Sequence, residues 1–335
     1  MRKALIMLIA LLQGSLNIVA QDAEDNSPRP SFGVDYTGEV QTDFEQARVA
    51  NLLHLHADIP LSNSLSLQVA SLSTLSSDNE LNVDVLQDYS NINAENIPFA
   101  LTVAGLTWQM GEHHTLFAGI RRTDEDYFCS EPLALFSNSS CGIFPILSCN
   151  FDIGTFPKAA LGIHYVYDKE DLCLQASVYN GAGNRRFSGR DNVFRICPKS
   201  DGIFALGQAE YRYRDSHYYL GASVHTEPSV KPAAWAYAEQ ALTPQFTLLA
   251  AYGHAFGSDN ACNDFCGLGG RYTLKRTELG LFTDYTRVDG IDEWATELIC
   301  NYHLNDYLSI KPILHVINTD GSTKCIGMLR VDISL

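Results

Sequence analysis

The stretch with the densest chemistry is Arg121-Arg122-Thr123-Asp124-Glu125-Asp126-Tyr127. A guanidinium offers a planar fork of N–H donors, a carboxylate accepts through two oxygens, and a phenol does both. Groups of these types, met within one short stretch, form bidentate charge-assisted bonds with each other or with a polar solute. Two readings of Arg121 stand side by side. It either meets a solute, or it makes a salt bridge that only pins the chain that follows.

Arg121 ends a run, TLFAGIRRT, in which Leu116, Ala118 and Ile120 fall on one face and Phe117, Gly119 and Arg121 on the other. That alternation is the signature of a strand. The same parity turns Arg122 outward, so it reads as a rim arginine. A second strand, KAALGIHYVY at 158–167, opposes Leu161, Ile163, Tyr165 and Tyr167 to Gly162, His164 and Val166. Between the two lies 124–157, too long for a plain connection. Its Phe, Ile and Cys content argues for an ordered segment that folds inward and narrows a pore.

The rest of the chain supplies the wall. Strand candidates are 32–41, 48–58, 63–73, 99–110, 115–123, 158–167, 172–180, 203–213, 217–226, 232–241, 246–256, 265–274, 277–286, 294–303, 308–317 and 324–335. With the last strand ending on the periplasmic side, connections sort by parity. GEHH at 111–114, DKED at 168–171, RDS at 214–216 and HLND at 303–306 are short, while 74–98, 124–157 and 182–202 all fall on the outer side. A soluble sandwich has no reason to sort its loops this way. The expected fold is all-β: a transmembrane antiparallel β-barrel of about sixteen strands.

Facing patterns agree. In the last strand Cys325, Gly327, Leu329, Val331, Ile333 and Leu335 form an apolar face, opposed to Lys324, Met328, Arg330, Asp332 and Ser334. Charge sits on single faces elsewhere too: Glu210 with Arg212, Glu278 with Asp284, and Glu297 with His303. In a barrel such faces line water. Trp108, Tyr165, Tyr167, Tyr211, Tyr213, Tyr218 and Tyr302 recur near one level, as an interfacial girdle would. Acidic 74–98 and Arg-rich 182–202 read first as solvated faces; the sharper expectation is that they pair across the pore mouth.

At the N-terminus Arg2 and Lys3 precede the apolar run Ala4–Leu12, and small residues end at Ala20. Residues 1–20 therefore read as a secretory signal peptide and 21–335 as the barrel. No later apolar run is long enough for a helical span. A net charge of −16 argues against nucleic acid as a partner. Nine cysteines in an exported chain point to oxidation, and Cys262 and Cys266, read as sharing one short outer loop, ACNDFC, are the candidate disulfide. Cys129, Cys141, Cys149 and Cys197 fall in outer connections, and Cys173, Cys300 and Cys325 read as fillers. The cysteine spacing fits no zinc site, and no catalytic or phosphate-loop motif is present. No enzyme activity, metal or cofactor is expected.

The runs FAGIRRTDEDYF, FSNSSCGIFPILSCNFDIGTFPKAALGIHYVY and SVYNGAG resemble the carbohydrate-selective porin (OprB) family, best over about 117–225. GQAEYRYRDSHYYLGASV and AYAEQAL echo its later strands. The resemblance implies a sixteen-stranded pore in a bacterial outer membrane, with inward-folded loops and a preference for sugars. It implies lipid and small carbohydrates as partners, and a homo-oligomer is compatible with it. Carried over by position, Arg121 is the firmest match, followed by Asp126. The candidate constriction set is Arg121, Asp124, Asp126, Tyr127, Glu210, Arg212, Glu278, Glu297 and Arg330. A sugar offers hydroxyls to Arg and carboxylates and C–H faces to aromatic rings, and weak binding suffices for release. The alternatives are a general solute or ion porin, and a barrel that anchors a secretion or adhesion complex.

Overall fold

A computed structural model describes residues 29–335, so the expected signal peptide lies outside the described residues. The first strands are β1 (Ser31–Thr42), β2 (Ala47–Pro60), β3 (Leu65–Ser76), β4 (Ile97–Gln109) and β5 (His114–Arg121). After a long insertion come β6 (Ala160–Lys169), β7 (Leu172–Asn180) and a two-residue hairpin, β8 (Phe187–Ser188) and β9 (Asp191–Asn192). Then follow β10 (Ile203–Tyr213), β11 (Ser216–His225), β12 (Lys231–Ala241), β13 (Phe246–Ala255) and β14 (Cys262–Leu274). The last are β15 (Thr277–Val288), β16 (Ile291–Asn305), β17 (Leu308–Thr319) and β18 (Ser322–Ser334).

All but the small hairpin form one closed antiparallel barrel, with β7 beside β10 and β1 beside β18. Asp35 faces Ser334 and Thr42 faces Gly327 across that seam. Closure satisfies every ladder amide and removes the sheet edge, the condition for β-structure to cross a bilayer. No helix among the described residues is long and apolar enough to cross a membrane. The sixteen strand candidates each overlap a strand of this wall.

The wall has an inside-out polarity. Along β16, Trp294, Leu298 and Tyr302 are exposed while Glu297 and Asn301 are buried inside. Leu220, Leu268, Leu281 and Leu329 add to the exposed apolar exterior. Water outside would make this arrangement costly, whereas a bilayer favours it. The turns at 61–64, 110–113, 170–171, 214–215, 242–245, 275–276 and 306–307 share the end where the seam closes. All three long connections, 77–96, 122–159 and 181–202, leave from the other end.

Segment 122–159 enters the barrel and rests on the inner face of β10–β16. Phe144 meets Phe265 at 4.6 Å between ring centroids, Phe128 meets Trp235 at 4.9 Å, and Phe136 meets Phe282 at 5.4 Å. Bare backbone on the wall makes room. A Cβ at Gly253 would stand 2.7 Å from Ile146 Cδ1, and one at Gly280 2.8 Å from Phe136 Cε1. The inner wall is thus shaped to take this segment, which is buried by the hydrophobic effect and not merely tethered.

Two expectations are corrected. Cys262 and Cys266 do not share a loop, because both lie in β14. Cys262 is buried and bonded toward Thr286, whereas Cys266 is exposed beside outward Tyr252 and Tyr285. An extended strand separates such positions by about 13 Å, beyond a disulfide's reach. All nine cysteines are free thiols. Segment 181–202, moreover, does not span the mouth. Its Val193 packs with outward-row Ile120, and Phe187 stacks on Phe99 of β4 at 6.2 Å. Among the described residues Arg185 alone reaches across, to Glu95 at 3.1 Å. Arg186 and Arg195 pair within their own segment, with Asp191 and Asp201. Phe187, Phe194 and Val193 carry no periodicity that would have shown this outward docking.

Candidate functional site

Gly105, Gly119 and Gly162 stand side by side across β4, β5 and β6. They leave a trough on the inner wall: a Cβ at Gly105 would strike the Phe117 ring at 2.4 Å, and one at Gly162 the Tyr179 ring at 2.3 Å. Arg121 lies along this trough, its guanidinium carbon 4.8 Å from the Phe117 centroid. Its Nε and Nη2 donate to Asp126 at 2.7 and 2.6 Å, and Nη1 donates to Gln68 at 3.0 Å. Local turn geometry explains the pair: a single 3-10 turn, Thr123–Glu125, brings Asp126 back over the strand end. Tyr127 then meets Ser177 Oγ at 2.9 Å, and His164 Nδ1 lies 2.7 Å from the same hydroxyl. Arg121, Asp126 and Tyr127 therefore form one buried network that secures the entry of segment 122–159.

Arg122 is placed otherwise than strand parity implied. The strand ends at Arg121, so parity lapses, and Arg122 turns inward to Glu125 at 2.6 Å and Asp124 at 3.6 Å. Burial pushes the Asp124 carboxyl up, and Arg122 opposes the rise. Arg122 and Asp124 line a cavity of about 590 Å³ between β1–β2 and the inward segments. Asn91, Asn93, Phe156 and Arg330 contribute to the same lining. Its volume and mixed surface suit a small polar organic solute.

Apart from Arg330, which shares the cavity with Asp124, the other members of the constriction set are dispersed. Glu210 and Arg212 sit near the short-turn end of β10, with Glu210 2.7 Å from His217 Nδ1 and Arg212 paired to Asp168. Glu278 receives Arg271 at 3.3 Å and Asn301 at 2.9 Å, and Arg271 also reaches Glu131 of the inward segment at 3.0 Å. Glu297 and Arg330 lie on the wall far from Arg121 in sequence, and both act as anchors. Glu297 accepts from the Ser137 and Asn138 amides at 2.8 and 2.9 Å. Arg330 donates to Glu39 at 2.6 Å and to Asn91 at 2.7 Å.

Sequence reasoning missed the partners of these anchors. Asp284 accepts from Asn138 and Gln87, and Glu293 accepts from the Leu86 and Gln87 amides at 2.6 and 2.9 Å. Inward parity marked Asp284, but nothing local marks which distant amide a carboxylate will hold.

Cys129 provides a probe of the cavity it lines. Burial pushes its thiol up to about 11. The thiolate is the reactive form, so its fraction rises tenfold per pH unit below that value. A cationic methanethiosulfonate is expected to lower single-channel conductance slowly at pH 7 and about a hundredfold faster at pH 9. Cys129→Ser should remove the slow block; a variant blocked like the parent would place the reactive thiol elsewhere.

No family model and no curated protein sequence matches the chain, but its fold has solved counterparts. Pseudomonas putida OprB in its high-pH structure gives a TM-score of 0.80 at 15% identity, over 92% of this chain and 94% of that one. The low-pH structure of the same protein gives 0.62 at 15% identity, over 92% and 93%. A mutant of Rh. blastica porin gives 0.65 at 10% identity, over 91% of this chain and 100% of its own. The resemblance drawn from the motifs thus holds in three dimensions, and at these identities what is shared is the sixteen-strand barrel fold.

Proposed function

We propose that this chain is a bacterial outer-membrane porin through which small solutes diffuse passively, sugars in preference. The observation that carries the reading is the inner cavity. Two chain segments enter a barrel with an apolar exterior, and the space they leave is lined by Arg122, Asp124, Asn91, Asn93 and Phe156. Guanidinium, carboxylate and amide groups exchange hydrogen bonds with hydroxyls, and a ring offers a face to C–H groups. Passage requires contacts weak enough to release, which a few such groups supply. The matching fold of Pseudomonas putida OprB and of Rh. blastica porin supports the reading at the level of architecture. No step of bond-making is part of it.

Liposome swelling with graded solutes tests it. Hexoses are expected to enter faster than charged solutes of equal size. Equal rates would favour a general solute porin, a reading that the paired charges at Arg122 and Arg330 also fit. Absence of swelling would reject a channel and leave the barrel as an anchor for other proteins.

A further inference from the structure

We propose that Asp35, His54 and His56 form a binding site for one divalent transition-metal ion on the inner wall of the barrel. His54 and His56 are two apart on β2, so strand alternation sends both imidazoles inward. β1 supplies the third group, because the sheet register sets Asp35 directly opposite His54. Asp35 Oδ2 lies 3.4 Å from His54 Nδ1 and 3.3 Å from His56 Nδ1. The ligand atoms of all three residues lie within 4.8 Å of one another. Ligands held at 2.0–2.1 Å on a tetrahedral ion stand about 3.3 Å apart, so two of the three edges already have the length a metal would impose.

The neighbouring backbone makes room for this arrangement. Gly33 is the residue opposite His56, and a Cβ there would lie 2.1 Å from His56 Nε2. The imidazole thus lies over the glycine and turns toward Asp35 on the same strand. His54 Nε2 is enclosed without a hydrogen-bond partner, so that ring's polar contact is the one it makes with Asp35. The facing row on β3 is Ala70 and Leu72, which offer no competing polar group.

Two neutral imidazoles and a carboxylate select ions such as Zn²⁺, Ni²⁺ or Co²⁺ over Mg²⁺ and Ca²⁺, which prefer all-oxygen shells. Three protein ligands leave a position open to water from the lumen. An ion there adds two positive charges to this stretch of the inner wall, which opposes cation entry. The proposal is independent of sugar preference, since binding is read on the protein itself.

The test uses the full-length protein in detergent, with its free thiols first alkylated so that they cannot compete, and Co²⁺ as the probe. One Co²⁺ per chain is expected, with visible d–d absorption and no thiolate charge-transfer band, and with no displacement by Mg²⁺. His56→Ala and Asp35→Asn should each weaken binding at least about tenfold, since outer-shell changes alone cost that much. His303→Ala, at the separate Glu278 pair, should leave it unchanged. X-ray absorption on the unmutated chain gives a readout that needs no variant: two imidazoles in the Co²⁺ shell are expected. No binding, sulfur in the shell, or parental affinity in both His56→Ala and Asp35→Asn would each overturn the site.

Discussion

Glu297→Ala is expected to raise single-channel conductance severalfold and to loosen segment 122–159 while leaving the barrel closed. Glu297 is 2% exposed and accepts from the Ser137 amide, the Asn138 amide and the Ser137 hydroxyl, at 2.8, 2.9 and 3.0 Å. Alanine would strand the two amides inside the wall, each at about 1–3 kcal/mol, while the hydroxyl keeps Tyr89 O at 3.2 Å and His315 Nε2 at 3.1 Å. The ladder hydrogen bonds of β16 with its neighbours involve none of them. The least costly response is for the segment to leave the wall and let water satisfy its amides. Because 1.4 kcal/mol is a factor of ten, hydrogen-exchange protection at Ser137 and Asn138 should fall at least about tenfold. Glu297→Gln keeps one acceptor oxygen and should fall between. Parental conductance together with parental amide protection would show that the apolar contacts of Phe136 and Phe144 hold the segment unaided.

Most of the wall was legible because its physics is local. Alternation and turn chemistry located 172–180 and 203–213 at the bounds that β7 and β10 take. Where local physics is interrupted, the reading slipped. β14 starts at Cys262 and not at 265, because the register with β15 shifts between Cys262 and Phe265 and breaks the alternation. The parity of loop lengths told which end carries the long connections. The Phe, Ile and Cys content of 124–157 pointed inward, but nothing in the sequence told that 181–202 docks outside, since that depends on which wall residues are apolar, bare or aromatic.

The site divides along the same line. Arg121 and Asp126 are five apart, and a single turn brings them together, so the pair was readable. Glu297 and Ser137 are 160 residues apart, and only barrel closure makes them neighbours. Asp35 and His54 likewise meet through register, so nothing local marks His54 and His56 until β1 lies beside β2. Parity marked Glu297 and Arg330 as inward but could not distinguish a side chain facing water from one holding a chain segment.

Arg121→Ala is the second large effect. Asp126 has a side chain only 6% exposed, and Arg121 supplies its two short bonds. Without the guanidinium, that carboxylate keeps only the Tyr179 hydroxyl at 3.5 Å and His164 Nε2 at 3.5 Å. Breaking a buried pair by removing one partner costs about 3–5 kcal/mol, and the cost falls on the entry to segment 122–159. Arg121→Ala is therefore expected to lower the thermal stability of the segment and to alter sugar flux. The double variant with Asp126→Ala separates the two readings of Arg121. If Arg121 only pins the chain, removing both charges relieves the uncompensated carboxylate, and flux and stability recover together. If Arg121 also meets solute, stability recovers while hexose flux stays altered. Arg121→Lys keeps the charge but not the fork, so it should restore ionic pairing better than it restores sugar discrimination. Unchanged flux, conductance and stability in Arg121→Ala would remove this pair from both roles.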